Sequence, residues 1–379
     1  MKYFSLFSGV GGFELAINNV YDNRPNIRNR DKTLSEVQPI TTEREGGTTC
    51  VGFSEIDKYA ISVYQYHYPN HKNYGDISKI EWNTVPDFDL VVGGSPCQDL
   101  SVAGKQKGLS GARSGLFFEF VRCLKEKQPT NFIWENVKGA LSSSSGWDFA
   151  RVQTEFSEAG YDVEWQVLNA KDFGVPQNRE RVFIVGHLRG KSEPKVFPIR
   201  TTNTSTTYNR TIRGGGRGSL DAKHSWDIVQ VNQPTHSNDR VYSDDGISPS
   251  LNTMQGGRRQ PKIQIKEATK LGFAEVLPGD SINFSVPNSK TRRGRVGHGV
   301  AQTLDTASNQ GTIDGTRIRR LTPLECERLM SWPDDWTKTG ITGEISDTQR
   351  YKMCGNGVVS KVIEPIIEKL WNNTPTTWE

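Results

Sequence analysis

The chain has 379 residues, 34% of them hydrophobic and 24% charged, with a formal net charge of +4. That length allows two or three domains, and a mean hydropathy of −0.61 with no run of about 18 apolar residues excludes a membrane-spanning helix. Five widely spaced cysteines with no C-x-x-C pair support neither a zinc site nor a disulfide framework, so a reducing, intracellular setting is expected.

The first seven residues are too short and too glycine-bounded for a signal peptide. Residues 2–8 read as a short buried strand, after which Gly9, Gly11 and Gly12 turn the chain into a helix. Residues 22–48 are polar and lack apolar periodicity, as expected of an exposed insertion. A second strand covers 50–54 and ends in Glu55, Ile56 and Asp57, followed by a helix near 58–67. A third strand-like element ends at 75–77, and a fourth occupies 89–92. Helix 115–127 leads to a strand at 131–134 that ends in Glu135, and helix 147–159 leads to a strand at 161–168. Residues 182–186 form another apolar run. Strands alternating with helices indicate an α/β fold with a doubly wound, mostly parallel sheet.

The texture changes after residue 188. Residues 189–319 are rich in Gly, Ser, Thr, Asn and Arg, with short β-like pieces and no convincing helix. They carry 20 Lys and Arg against 11 Asp and Glu, a net +9, leaving a net −5 elsewhere. A basic block of this kind is either a polyanion-binding face or an ordinary solvated surface. The pattern G-[IV]-[SA]-x-[ST]-L-[ND]-T occurs at 246–253 and again at 299–306, which is either a duplicated β-loop unit or chance in a biased segment. Helical signals return at 322–329, where Thr322 is a candidate N-cap, Pro323 occupies the first helical position and Glu325 completes a capping box. A final amphipathic helix is expected near 358–371.

The chemistry concentrates at strand ends. Gly93, Gly94, Ser95, Pro96, Cys97 and Gln98 follow the strand at 89–92, which puts one cysteine on a loop at a carboxyl sheet edge. Such a cysteine is either an activated nucleophile or a small buried thiol. Glycines at 9, 11 and 12 allow close approach of a ligand to a helix start, and Glu55 and Asp76 at later strand ends suit the ribose and adenine of an adenosine cofactor. The spacing does not match a dinucleotide fingerprint. Glu135 shares the edge with Cys97, as a proton donor or as a solvent-facing carboxylate. Gln177, Arg179 and Arg181 alternate along an extended segment, so they present side chains at period 2. They form either a set of oxygen-binding forks or a surface charge run.

Together these segments resemble the DNA cytosine-5 methyltransferase family. The resemblance rests on FSGVGG (7–12), SEID (54–57), GDI (75–77), GGSPCQDLS (93–101), ENV (135–137), QNRER (177–181), RLTPLECERL (320–329) and GNGVV (355–359), in the family's order. It implies an S-adenosylmethionine-dependent methyltransferase fold and methylation of carbon 5 of a flipped cytosine in duplex DNA. Cys97 would be the nucleophile, with Glu135, Arg179 and Arg181 completing the catalytic set. Phe7, Gly9, Gly11, Gly12, Glu55, Ile56, Asp76 and Asn356 would hold the cofactor. Pro96, Gln98, Ser101, Gln177, Thr303 and Leu304 would meet the substrate, and no metal is implied. Residues 98–115 resemble the family's mobile loop, and 189–319 its variable recognition region, read as one region rather than two. The implied organisation is a catalytic domain of 1–188 plus 345–379 and a recognition domain of 189–344. Ser5 departs from the family, which often has an acidic residue there. The setting implied is a compact prokaryotic or phage enzyme, monomeric and cytoplasmic, serving restriction–modification or self-protection. The alternatives are a tRNA-type cytosine methyltransferase and a DNA-binding protein that has lost catalysis.

Overall fold

The computed structural model describes residues 1–22, 47–96, 115–191, 195–200, 229–230, 241–243, 262–286, 289, 291–307, 309–314 and 317–372. The central sheet contains β1 (Lys2–Leu6), β2 (Thr49–Ser54), β3 (Leu90–Gly93), β4 (Asn131–Val137) and β5 (Tyr161–Asn169); β6 (Gln177–Asn178) lies outside it and β7 (Glu180–Leu188) completes it. The strand order is β2-β1-β3-β4-β7-β5. β2, β1, β3 and β4 run parallel, and β7 alone is reversed against β4 and β5. The expectation of a mostly parallel α/β sheet therefore holds, with one antiparallel insertion.

Alternation along the strands divides the core into two layers. Val92, Ile133 and Val185 face one side, where they join Ala16 and Ile17 of α1 (Gly12–Asp22), Val63 of α2 (Lys58–His67) and the apolar stripe of the C-terminal helix. Val91, Phe132, Trp134 and Ile184 face the other side. There they meet Phe117, Phe120 and Leu124 of α3 (Gly115–Lys127) and Phe149, Val152 and Phe156 of α4 (Trp147–Glu158). Each fully buried side chain of this size contributes roughly 1.5–3 kcal/mol, which holds both helical layers to one sheet.

The expected third strand is not formed. Asn73 makes one isolated bridge to Phe53, and Asp76 instead caps a short 3-10 turn at Ile77–Lys79. In the later segments, β8 (Val229–Gln230), β9 (Val241–Ser243), β10 (Lys262–Lys266) and β11 (Phe273–Val276) make a second sheet. A third sheet joins β12 (Ser281–Asn283) to β13 (Val296–Gly297) on one side. β14 (Ala301–Gln302) then pairs with β6, and β15 (Gln310–Asp314) and β16 (Arg317–Arg320) complete the third sheet beyond β12. No helix occurs among the described residues of 189–319.

α5 (Pro323–Leu329) has the full capping box of Thr322 and Glu325, with Pro323 at its start. α6 (Asp347–Asn356), which the sequence pattern does not announce, precedes α7 (Ser360–Asn372). The expected boundary at 344/345 does not coincide with a break in packing. Leu321, Leu329, Met330, Trp332 and Trp336 belong to the same apolar cluster as Val10 and Ile17, so this stretch packs with α1 against the central sheet. The insertion at 22–48 lies outside the described residues but for its ends, as does the first copy of the repeated pattern.

Candidate active site

The carboxyl ends of β1, β2, β3 and β4 share one edge because these strands are parallel, and the candidate residues gather there. Gly94, Ser95 and Pro96 follow β3 directly. Trp134 Nε1 donates to Ser95 Oγ (3.1 Å) and Asn136 Nδ2 donates to the Ser95 carbonyl (3.4 Å), so β4 holds this turn from beside it. Ser95 is buried while Pro96 is exposed. Cys97, Gln98 and Ser101 lie outside the described residues, as does most of the expected mobile loop.

Glu135 stands near the end of β4. Its register partner is Phe183, and Val137 pairs with Arg181. In an antiparallel pair this makes Glu135 and Arg181 diagonal neighbours on one face, and Arg181 Nε lies 3.0 Å from Glu135 Oε1. Both side chains are largely shielded, at 12% and 15% exposure, so the pair is only weakly screened. Gly94 packs against the other carboxylate oxygen. A Cβ at position 94 would sit 2.7 Å from Glu135 Oε2, so any larger residue there displaces the Glu135 carboxyl.

Arg179 is buried. Its guanidinium donates to the carbonyls of Leu304 (3.3 Å), Gly355 (3.1 Å) and Gly357 (2.6 Å). Burial pushes its pKa down to about 9, with the neighbouring Arg181 charge acting in the same direction. It remains a cation at neutral pH. Its Nε is buried without a partner among the described residues. Arg179, Glu135 and Arg181 line one small cavity together with Leu168, Phe183 and Val359.

The expected alternation of Gln177, Arg179 and Arg181 is present, since Gln177 and Arg179 point inward and Asn178 is exposed. Gln177 and Leu304, expected among the substrate contacts, are nevertheless buried. Gln177 Nε2 donates to the Leu329 carbonyl (2.6 Å), and its Oε1 accepts the Leu304 N–H (3.2 Å). Both are braces of the cleft, with their amide groups already satisfied. Thr303 donates to the Asn178 carbonyl (2.9 Å), which fastens the end of β14 to β6, just before Arg179.

A second group of residues lies where β1 and β2 end. Phe7, Gly9 and Gly11 have positive φ angles, and Gly11 is pressed against Tyr68, since a Cβ at position 11 would sit 2.7 Å from the Tyr68 ring. Glu55 Oε2 accepts the Gly9 N–H (2.9 Å), and Oε1 accepts the N–H groups of Ile56 and Asp57 (both 2.8 Å). One acceptor position on Oε2 is left for a ligand hydroxyl. Ile56 is 72% exposed beside it and offers an apolar face. Asp76 accepts from Ser78 N–H and Oγ (3.0 and 2.8 Å), which holds its carboxylate below the usual range while it stays partly exposed. Asn356 is exposed at the end of α6, next to the Gly355 and Gly357 carbonyls that Arg179 holds. Sequence reasoning misses the tryptophans that anchor this turn. Trp336 Nε1 donates to the Val10 carbonyl (3.0 Å) and Trp332 Nε1 to the Val358 carbonyl (3.2 Å), and only their place beside α5 hints at it.

A family model described as C-5 cytosine-specific DNA methylase matches residues 1–372. The chain is 30% identical over 450 residues to the orphan methyltransferase M.SPRI of Bacillus phage SPR, covering 98% of this chain and 97% of that protein. It is 33% identical over 320 residues to the type II methyltransferase M.SsoII of Shigella sonnei, covering 84% and 72%. Among solved structures, it resembles a DNA modification methyltransferase encoded within an E. coli prophage, with a TM-score of 0.59 and 20% identity over 98% of this chain and 99% of that one. It also resembles S. pombe Dnmt2, with a TM-score of 0.53 and 16% identity over 98% of each chain. At these identities the two structures speak for the fold.

Proposed function

The chain belongs to the C-5 cytosine-specific DNA methylase family, and from that membership we propose that it methylates carbon 5 of a cytosine within a specific sequence of duplex DNA. The observation that carries this reading is the Glu135–Arg181 pair, seated against Gly94 at the mouth of the turn leading to Cys97. Carbon 5 of cytosine is a weak nucleophile until a covalent bond at carbon 6 interrupts the ring's aromaticity. Cys97, as thiolate, forms that bond. Electron density then moves toward ring nitrogen 3, where Glu135 supplies a proton and accepts a hydrogen bond from the exocyclic amine. Arg181 holds the Glu135 carboxyl in place through its Nε. Arg179 contributes a buried cation and an unsatisfied Nε–H, the kind of donor a cytosine carbonyl oxygen needs. Once carbon 5 carries the methyl group, a base takes its remaining proton, the 5,6 double bond re-forms and the bond from carbon 6 to Cys97 breaks, which returns the thiolate. A base inside a duplex cannot reach such a cavity, so the target is flipped out of the stack.

The residues where β1 and β2 end fit S-adenosylmethionine, which supplies an electrophilic methyl group when bound. Gly9 and Gly11 keep the backbone low enough for close approach, Glu55 keeps an acceptor for a ribose hydroxyl, and Ile56 offers an apolar face to the adenine. Phe7, Gly12, Asp76 and Asn356 complete the set. The segment around 189–319 is read as the recognition region, and its +9 balance suits phosphate contact. The enzyme is read as a monomer acting on DNA inside a bacterial or phage-infected cell, for self-modification.

Bisulfite sequencing of a plasmid expressed with this protein, beside a Cys97→Ser control, tests the reading. Protected cytosines at one short repeated motif, absent in the control, are the expected result. Unprotected plasmid with folded protein would overturn it, and methylated tRNA in the same cells would identify the RNA-directed alternative.

A further inference from the structure

We propose that His298 reads a base edge of the DNA, a deepening of the function above that rests on it. β12 and β13 pair antiparallel, with Ser281 opposite Gly297, so Asp280 and His298 meet at one end of this hairpin. Asp280 closes a turn that begins at Leu277, with Pro278 and a positive-φ Gly279 between them. Its carboxylate is 7% exposed and accepts three hydrogen bonds. These come from Leu277 N–H (2.9 Å), Gly299 N–H (3.1 Å) and His298 Nδ1 (2.8 Å).

A carboxylate that takes two backbone N–H groups offers only lone pairs to the imidazole, so Nδ1 carries hydrogen. The neutral ring then has its lone pair at Nε2, on the side away from Asp280. The His298 side chain is 67% exposed, so the buried carboxylate fixes the ring and turns its Nε2 edge to solvent. Exposed polar residues usually carry no such brace.

Its placement ties it to the catalytic edge. Three residues on, Ala301 pairs with Gln177, and Thr303 is bonded to Asn178, immediately before Arg179 and Arg181. Leu277, 56% exposed, adds an apolar group from the same turn. His298 is tied through this short run of chain to the segment that carries Arg179 and Arg181. An acceptor suits the exocyclic amino group of cytosine or adenine in the major groove, or of guanine in the minor groove.

The test uses the full-length protein and duplexes carrying each single base-pair change in the site located by bisulfite sequencing. Single-turnover methylation is measured for wild type, His298→Ala and His298→Asn. Asparagine keeps a donor for Asp280 but has nothing at the Nε2 position, and thermal melting checks that it folds as wild type. Both variants are expected to lose roughly tenfold or more of the discrimination at one base pair and to keep it at the others. Uniform weakening across all sequences with a shallower salt dependence is the signature of a phosphate contact and overturns the proposal. Unchanged discrimination overturns it as well. If the wild-type protein methylates no duplex at all, the methyltransferase reading itself fails, an outcome visible before any variant is compared.

Discussion

Glu14 gives the sharpest physical prediction. It lies on α1, beneath the glycine turn, and is fully buried. The Tyr64 hydroxyl donates to its Oε1 (3.0 Å), and the same hydroxyl lies 3.0 Å from His71 Nδ1. Burial outweighs these hydrogen bonds and raises the Glu14 pKa from 4.5 to about 7. Between these values the folded state holds a proton that the unfolded state has released. Stability from this group is therefore complete below about pH 4.5 and is lost as pH rises to about 7. At 1.36 kcal/mol per unit the total is on the order of 3 kcal/mol.

His71 acts in the opposite sense, because burial lowers its pKa from 6.5 to about 4. There the unfolded state holds the extra proton, so stability rises between pH 4 and 6.5. The two groups offset each other in the wild-type protein, and the Glu14→Gln variant exposes the difference. Urea denaturation of both proteins at pH 5 and pH 8 is the assay. Glutamine mimics the neutral carboxyl, so its stability relative to wild type should increase by about 2.5 kcal/mol between the two pH values. Parallel pH profiles, with a difference that stays constant, would refute a buried carboxyl titrating near neutrality.

Two other substitutions probe the catalytic edge. Gly94→Ala places a methyl group 2.7 Å from Glu135 Oε2, and displacing that carboxyl by about 1 Å should lower single-turnover methylation roughly 100-fold with little change in DNA affinity by fluorescence anisotropy; a wild-type rate would show that the site has room to spare. Arg179→Lys exchanges a fork that reaches three carbonyls for a single ammonium, so urea denaturation should show a loss of about 1.5–3 kcal/mol, and unchanged stability would mean that these carbonyl contacts contribute nothing net.

What the sequence conveyed, and what it did not, follows from the range of the interactions involved. The strand at 89–92 and the helix at 322–329 depend on neighbours within a few residues. Apolar runs and the Thr322–Glu325 capping box announce them locally. α6 gave no such signal because its residues are mostly polar. It is held from outside, by Arg350 on the fully buried Glu327 (3.0 Å), whose carboxylate also accepts the Thr337 N–H (2.9 Å). The hydrogen bonds of Gln177 were unreadable for the same reason, because its partners lie 127 and 152 residues away.

The catalytic edge shows the division most clearly. That Glu135 lies near the end of a strand was readable from the apolar run before it. That it faces Arg181 depends on β7 entering the sheet reversed, next to β4, in a register that opposes Val137 to Arg181. Had β7 run parallel, the same residues would have met in a different pairing, so periodicity placed each residue on its strand and only topology set it against its partner. The reversal also carries Gln177 and Asn178 away from the central sheet, free to pair with β14. One inverted strand thus both sets the Glu135 carboxyl against Arg181 and leaves Gln177 and Asn178 to pair with β14, so the register of β7 ties these two parts of the chain together.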